Sequence, residues 1–483
     1  MTIATQEPSR QSSSSSASGE DRGRNDNEAA MARQRAMLDG PVLPTLLKLA
    51  LPTVVVLVVQ TLVGVAETYF VSFLGTEAIA GVSLVFPIFM LMQMMSNGGI
   101  GGGVASAVAR AIGAGKVAEA EALTLNALVL AVVFGVIFAA AEWLFGEAVY
   151  RSLGGQAGAL GAALGYGHVV FSGAIFVWIV SLLAAALRGA GNTRAPAIVI
   201  LLGVVVLLPL SPALIFGCGP FPRLGVAGAG IAVVVYYLVA AIVLIAYLRS
   251  ARASLRLPLD ASLVKWRLLG DILRVGGLSA VGTIQSNLTV VLVTGAVGLF
   301  GTDAIAGYGI ASRLDYIQIP LLFALGSAAL TMVGVNIGAG RIRRAERIAW
   351  VAAFFAGCAT ELLGLVVTVF PQAWLSLFSA NPEVLSAGSI YFRAVAPFYG
   401  IAGFGMLLYF AGQGAGRVMW PVLGGTVRLL ISAGIGWIVV ADLGGGLRDL
   451  FMAVAAGSIV SGVIVASALW LRGWDQAATS SRS

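Results

Sequence analysis

Leu74-Gly75-Thr76-Glu77-Ala78-Ile79-Ala80-Gly81 returns as Phe300-Gly301-Thr302-Asp303-Ala304-Ile305-Ala306-Gly307, 226 residues later. Ile112-Gly113-Ala114-Gly115 returns as Ile337-Gly338-Ala339-Gly340 at an offset of 225. Gly189-Ala190-Gly191, followed by Pro196, returns as Gly414-Ala415-Gly416, followed by Pro421, again at 225. Three collinear matches at a nearly constant offset imply two homologous halves. In a chain this apolar, such a duplication is the signature of a transporter built from two repeats.

The chain is 59% hydrophobic and 11% charged, where a soluble domain is roughly 25% charged. Ile198–Leu208 and Ile231–Leu248 carry no charge. A soluble core cannot use so much apolar surface, so most of it has to face lipid or other membrane helices. The 62 glycines fit the same picture, because small residues let helices approach where the hydrophobic effect does not drive them together. Continuous apolar runs, without alternation, exclude a β-barrel.

A spanning helix needs about 20 apolar residues. Runs between breakers predict twelve spans, over 44–72, 77–110, 117–145, 157–188, 194–217, 225–250, 268–299, 303–337, 345–371, 384–411, 418–441 and 447–471. The fold class is therefore an all-α polytopic membrane protein, with two six-helix lobes (44–250 and 268–471) around a central cleft. Six helices per half is an even number, so both halves enter the membrane in the same direction. The segment 251–267, with Pro258 and several basic residues, connects the lobes. Residues 1–35 and 472–483 are polar tails; the first is expected to be disordered because it cannot bury a core. It lacks the apolar stretch of a signal peptide, and its acidic residues argue against a transit peptide.

Basic residues gather at alternate loops: Arg33, Arg35 and Lys48; Arg110 and Lys116; Arg188 and Arg194; five between Arg249 and Arg267; four between Arg341 and Arg347; Arg417; Arg472. The opposite loops hold only Arg151, Arg223 and Arg448. The positive-inside rule then puts both termini in the cytoplasm. The same asymmetry explains a pI near 9.6 without nucleic acid as a partner. Cys218 and Cys358 fall in different halves, and the single histidine, His168, lies in an apolar helix. None of the three forms a metal or catalytic motif. Gly98, Gly99, Gly101, Gly102 and Gly103 satisfy no phosphate-loop pattern, and no hydrolase motif is present, so no enzyme activity is expected.

An ionisable group within a span is a functional candidate because it costs free energy to bury. Four acids qualify: Glu67, Glu142, Asp315 and Glu361. Glu67 has no base nearby in its own helix, and Gln60, Thr61, Gly64 and Thr68 make its face polar. Asp315 falls near mid-membrane, two residues after Arg313. Such carboxylates can exchange a proton or, ionised, hold Na⁺ with neighbouring oxygens, so Glu67, Asp315 and Glu361 are the candidate ion-coupling residues. Structural alternatives are an ion pair for Asp315, and for Glu361 a pair with Arg393 or Arg428. Glu142, next to Trp143, reads as a solvated interfacial acid. Gln60, Thr68, Gln285, Asn287 and Arg313 are the candidate lining of a substrate cleft. Pro87 and Pro320 each interrupt a long span, as static kinks or as hinges.

The stretch Gln60 to Gly75 resembles the multidrug and toxic compound extrusion (MATE) family, as do the repeated G-T-x-A-I-A-G and I-G-A-G segments and Leu187-Arg188-Gly189-Ala190-Gly191-Asn192-Thr193. The resemblance runs from about Leu43 to Trp470. It implies two six-helix bundles facing a cleft, and export of organic, often cationic or amphipathic, drugs in exchange for H⁺ or Na⁺. It further implies a bacterial plasma-membrane protein acting as a monomer among membrane lipids, with no cofactor beyond the coupling ion. In many bacterial relatives an acid in the first helix is central to coupling; the matching residue is Glu67, a glutamate where aspartate is usual. Some relatives add an Asn and an Asp in the fifth helix, the acid just before a proline. Here Leu207 and Ser211 stand there, before Pro212. The repeat partner of Glu67 is Val293. Two other classes remain open. A lipid-linked saccharide flippase of the same plan would need a strongly basic cleft, whereas only Arg313, Arg393 and Arg428 lie within the spans. An accessory membrane protein without transport would have to use every buried acid structurally.

Overall fold

The structure, a computed structural model, describes residues 28–217, 219, 221–250 and 253–474. Most of the expected N-terminal tail (1–27), the C-terminal tail from 475 and residues 251–252 of the connector lie outside the described residues. Residues 28–39 form helix α1. The first lobe follows: α2 (Val42–Ser72), α3 (Thr76–Met94), a π turn (Met95–Gly99), α4 (Ile100–Gly113), α5 (Val117–Ser152), α6 (Ala157–Ser172), α7 (Ala174–Gly189), α8 (Arg194–Phe216) and α9 (Val226–Arg249). The second lobe holds α10 (Trp266–Gly298), α11 (Thr302–Gly338), α12 (Ile342–Val369), α13 (Pro371–Leu375), α14 (Pro382–Val395), α15 (Tyr399–Gly414), α16 (Met419–Leu429), α17 (Gly436–Ala441) and α18 (Leu447–Arg472).

Among the described residues, eleven helices are long and apolar enough to cross a membrane, and α6 with α7, bent by 48°, makes up to twelve. The bend sits at Gly173, where a Cβ would come 2.6 Å from Val234 of α9. A β-carbon there would push the two helices apart, so glycine permits the kink. The second span breaks at the π turn, and the tenth at Pro397, in a 3₁₀ turn between α14 and α15. Proline cannot donate to the helix ladder, and its ring crowds the preceding turn.

The duplicated motifs prove to be matched turns. Gly75 and Gly301 have φ of 100° and 97°; Gly115 and Gly340, 74° and 73°; Gly191 and Gly416, 77° and 73°. L-residues with a side chain rarely reach these angles, so glycine is required twice at each place. At Gly115 the next amide, of Lys116, reaches back to Ala111 O at 2.9 Å; at Gly340 the amide of Arg341 reaches Asn336 O at 2.8 Å. These are helix C-caps that absorb otherwise orphaned carbonyls.

The turns at 114–116, 190–193, 339–341 and 415–418, the connector and both described chain ends share one side, here termed the basic face; the intervening turns form the far face. A large buried cluster and a small one (Val71, Ala78, Ile215, Ala229) lie in the first lobe, and two fill the second. The basic-face half of α2 (Leu46, Leu49, Ala50) packs into the second lobe, while its far half lies against α8. The connector is pinned: Leu255 and Leu257 are buried in the first lobe, and Asn126 bridges Leu263 O and Lys265 N.

Two expectations need correction. Residues 28–35 were expected in the disordered tail, yet they are helical, because α1 docks on the body through side chains and carbonyls further along it. The third span runs on to Ser152 instead of ending near 145, which buries Glu142, as described next.

Candidate functional site

In the first lobe, Ser211 of α8 donates to Glu67 Oε2 at 2.8 Å. The second oxygen, Oε1, is buried without a hydrogen-bond partner. Tyr166 of α6 stands close enough to interact with the carboxylate electrostatically, and among the described residues no charged side chain offsets it. Gln60, about two turns earlier on α2, confronts the buried Tyr236 hydroxyl of α9. Beside it, Gln93 bonds to Tyr237 and Asn97 Nδ2 bonds to Gln93 Oε1 at 3.2 Å, linking α9 to the π turn. Ser211, the residue before Pro212 of α8, is thus the hydrogen-bond donor to Glu67. The carboxylate itself has two hydroxyl neighbours, Ser211 and Tyr166; the amide side chains engage the tyrosines of α9.

In the second lobe, Asp315 Oδ2 accepts from Tyr391 of α14. The Tyr399 hydroxyl approaches the same carboxylate, but neither it nor Asp315 Oδ1 completes a hydrogen bond. Tyr308 and Arg428 are electrostatic neighbours of Asp315. The cage is closed by aromatic contacts: Tyr308 to Tyr391 at 5.3 Å and Tyr391 to Phe451 at 5.0 Å, both edge-on. Val293, the repeat partner of Glu67, is a buried member of the same apolar cluster. The two halves therefore place their acids on non-equivalent helices.

The remaining acids have structural engagements. Glu361 Oε2 accepts the Gly400 amide at 2.6 Å, at the start of α15 where the Pro397 break leaves amides unpaired. A carboxylate at a helix N-terminus satisfies that orphan donor and complements the dipole. The expected partners are elsewhere: Arg393 is exposed and Arg428 neighbours Asp315. Glu142 is not solvated; it is 5% exposed and accepts from Tyr150 at 2.7 Å. Gly146 and Gly167 make the room, since a Cβ at either would come within 2.8 Å of the carboxylate. His168 stacks on Trp143 with centroids 4.2 Å apart.

The lobes meet near the basic face through α4 against α10, α11 and α15. A Cβ at Gly113 would lie 2.0 Å from Val335 O, one at Gly338 2.0 Å from Arg110 O, and one at Gly103 2.4 Å from Ile272 O. Such backbone approaches are the membrane form of helix packing through small residues. A buried polar node crosses the same seam: Gln413 Nε2 donates to Gly98 O at 3.1 Å and Ser279 Oγ at 2.8 Å, while Ser106 donates to Gln413 O and Arg110 to Ser106. Toward the far face, α3, α6, α8 and α9 pack within their own lobe. Gln285 bonds to Thr426 at 2.8 Å, and Asn287 Nδ2 reaches Met94 Sδ of the opposite lobe at 3.7 Å.

Of the expected cleft residues, Asn287 thus reaches the opposite lobe, while Gln285 bonds within its own. Gln60 lies inside the first lobe, Thr68 is exposed and bonds to Gly64 of its own helix, and Arg313 lies over Phe378 at 5.9 Å. Pro87 and Pro320 lie within α3 and α11, whereas the second span changes register at Met95–Gly99, a π turn of the kind found at functional sites. Sequence reading missed Tyr166, Tyr236, Tyr391 and Tyr399. Their one signal was a phenol within an otherwise apolar run.

A family model, MatE, matches residues 52–213 and 279–438, one stretch in each half. The FAD transporter of Shewanella oneidensis is 27% identical over 441 residues, 90% of this chain and 95% of that protein. The probable multidrug resistance protein NorM of Thermotoga maritima is 28% identical over 383 residues, 78% of this chain and 81% of that protein. Among solved structures, a MATE crystal structure in the bent conformation superposes with a TM-score of 0.82 at 23% identity, covering 96% of this chain and 99% of the other.

Proposed function

The chain belongs to the MatE family of multidrug and toxic compound extrusion transporters, and from that premise we propose that it is a cation-coupled antiporter exporting amphipathic organic compounds. The observation that carries the reading is Glu67: a buried carboxylate with one oxygen unpartnered and no charge to offset it. That group has no structural partner it must keep, so a proton or Na⁺ is its natural counter-ion. Ser211 supplies an oxygen beside it, and Gln60 and Tyr166 stand within the same lobe.

Cation binding would remove the cost of an isolated charge and favour one arrangement of the first lobe; substrate would favour the other. Coupling needs only that difference in preference. Asp315 is the acid of the second lobe, where the Tyr391 hydroxyl donates to it and Arg428 is a neighbouring charge. Glu361 caps a helix and is not given an ion. The substrate enters between the lobes, where Asn287 and Met94 offer polar and polarisable contacts. The π turn, with Pro87 and Pro320 as kinks above it, would let the far halves move over a fixed seam. The basic face is cytoplasmic by the positive-inside rule, in a bacterial plasma membrane. One chain holds both lobes and acts alone.

A second reading concerns cargo: a flavin dinucleotide, as named for the Shewanella relative, with Arg428 as its cationic contact. The test is efflux from proteoliposomes of ethidium, norfloxacin and FAD, with ΔpH and a Na⁺ gradient imposed separately. Export of either drug driven by one gradient names the ion and supports the antiporter. Export of FAD alone moves the substrate to the second reading. No export of any compound from folded protein overturns both.

A further inference from the structure

Helix α1 touches both lobes at the place where they close. Met37, near its end, is 1% exposed and sits against Gly191 of the first lobe, where a Cβ would come 2.7 Å from Met37 Cε. Gln34 Nε2 donates at 3.1 Å to Ile112 O, a carbonyl in the last turn of α4. The opposite side of the same segment is held by the second lobe. Asn336, fully buried, donates to Met37 O at 3.1 Å; Arg341 donates to Leu38 O at 2.9 Å and pairs with Asp39; Arg344 donates to Gly40 O.

The holds are unequal in kind. Side chains of α11, of the turn after it and of α12 satisfy the carbonyls of residues 37, 38 and 40, which are orphaned because α1 ends there. The first lobe holds α1 through the Gln34 amide and through Gly191 against Met37, whose side chain also packs in the second lobe's buried cluster. Between these contacts lies the Gly113–Val335 approach that seals the lobes. Any separation of the lobes at the basic face therefore pulls Ile112 and Gly191 away from Asn336, Arg341 and Arg344, and α1 cannot follow both.

We infer that α1 is a latch: it stays with the second lobe and holds the basic-face seam shut, so its Gln34 and Met37 contacts must break before the cleft can open toward that face. The inference rests on the alternating-access reading only for its consequence in transport; the latch itself is a statement about the equilibrium between closed and open seams.

The test uses the full chain in lipid nanodiscs, with both cysteines changed to serine and spin labels at Ala118→Cys and Arg343→Cys, one in each lobe on the basic face. Adding Gln34→Ala and Met37→Ala should raise the ratio of long to short distances about tenfold. Arg341→Ala with Arg344→Ala, which frees the other end, should act in the same direction. An unchanged distribution in both pairs, with unfolding temperature retained, overturns the latch. A third protein guards against misfolding of the first two: Gln34→Cys joined to Ile112→Cys by a short bis-maleimide should hold the short distance and stop transport. Transport that continues at full rate with the pair joined also overturns the proposal. If instead the distances shift as expected while the full chain exports nothing under any gradient, the latch stands and the antiport reading fails.

Discussion

Glu67 and Asp315 each offer one oxygen to a hydroxyl and leave the other without a partner, yet their charge environments differ. Around Glu67 stand Ser211 and Tyr166, with no base acting on it. Around Asp315 stand Tyr391, Tyr399, Tyr308 and Arg428. A carboxylate with no base acting on it has to find its counter-charge from solution, whereas Asp315 has Arg428 among its electrostatic neighbours. Duplication copied the backbone, down to the φ of each turn glycine, but not the chemistry: Val293 occupies the repeat position of Glu67. On the reading proposed above, the first lobe is the half that exchanges ions.

The sharpest way to break this comparison is Glu67→Gln. The amide keeps the shape and the Ser211 contact but cannot change charge. Gradient-driven export should fall by the whole coupling factor, of order 10–100-fold, with protein yield and unfolding temperature retained. Coupled flux that survives in the Glu67→Gln protein would remove the first lobe from the ion pathway. Asp315→Asn should behave differently. It weakens the bond from the Tyr391 hydroxyl, so it should cost about 0.5–1.5 kcal/mol of stability, the worth of a typical hydrogen bond. Thermal unfolding reads that loss, while the dependence on the driving ion should remain. An Asp315→Asn protein that is as stable as the parent but uncoupled would make the second lobe an ion site too.

Next in size is Ser211→Ala. Loss of one hydroxyl donor to the carboxylate should change the half-saturating concentration of the driving cation about tenfold. Maximal flux should hold, because Glu67 itself remains. If the change leaves both unaltered, Ser211 is a bystander and the resemblance to a two-acid site carries no function here.

The fold was legible because an apolar run long enough to span has one place to go. The first span, expected over 44–72, is found at Val42–Ser72, and the eighth, expected over 303–337, at Thr302–Gly338. The repeated G-T and G-A-G segments announced turns because only glycine takes those angles. The acids were legible through their cost. Their partners were not, since Tyr391 in Ser-Ile-Tyr-Phe reads as core until α14 is seen against α11. Glu142 was misread for a local reason: the apolar pattern fades at 145, while Gly146 and Tyr150 continue the helix and fold over the carboxylate. Residues 28–35 were misread for a non-local one. Their composition is polar, and what orders them is a row of donors some 300 residues away in α11 and α12.

The smallest expected effect separates surface charge from the buried acids. Asp39 is exposed, and its carboxyl is held below the ordinary carboxylate value of 3.8 by the Arg341 guanidinium, with Arg344 and Arg35 adding attraction. A depressed value means the ion pair contributes fully at neutral pH and is lost only as pH falls through the carboxylate range. Exposed pairs are worth little and are screened by salt, so the open-seam population should rise less than about twofold between pH 5 and 3, and Asp39→Asn should abolish that rise. Between pH 8 and 5 Asp39 stays ionised and contributes no change. Any shift of the seam in that upper window has to come from a group that the latch does not contain. Its disappearance in Glu67→Gln and its persistence in Asp315→Asn would assign it to the first lobe; the reverse pattern would exchange the roles of the two halves.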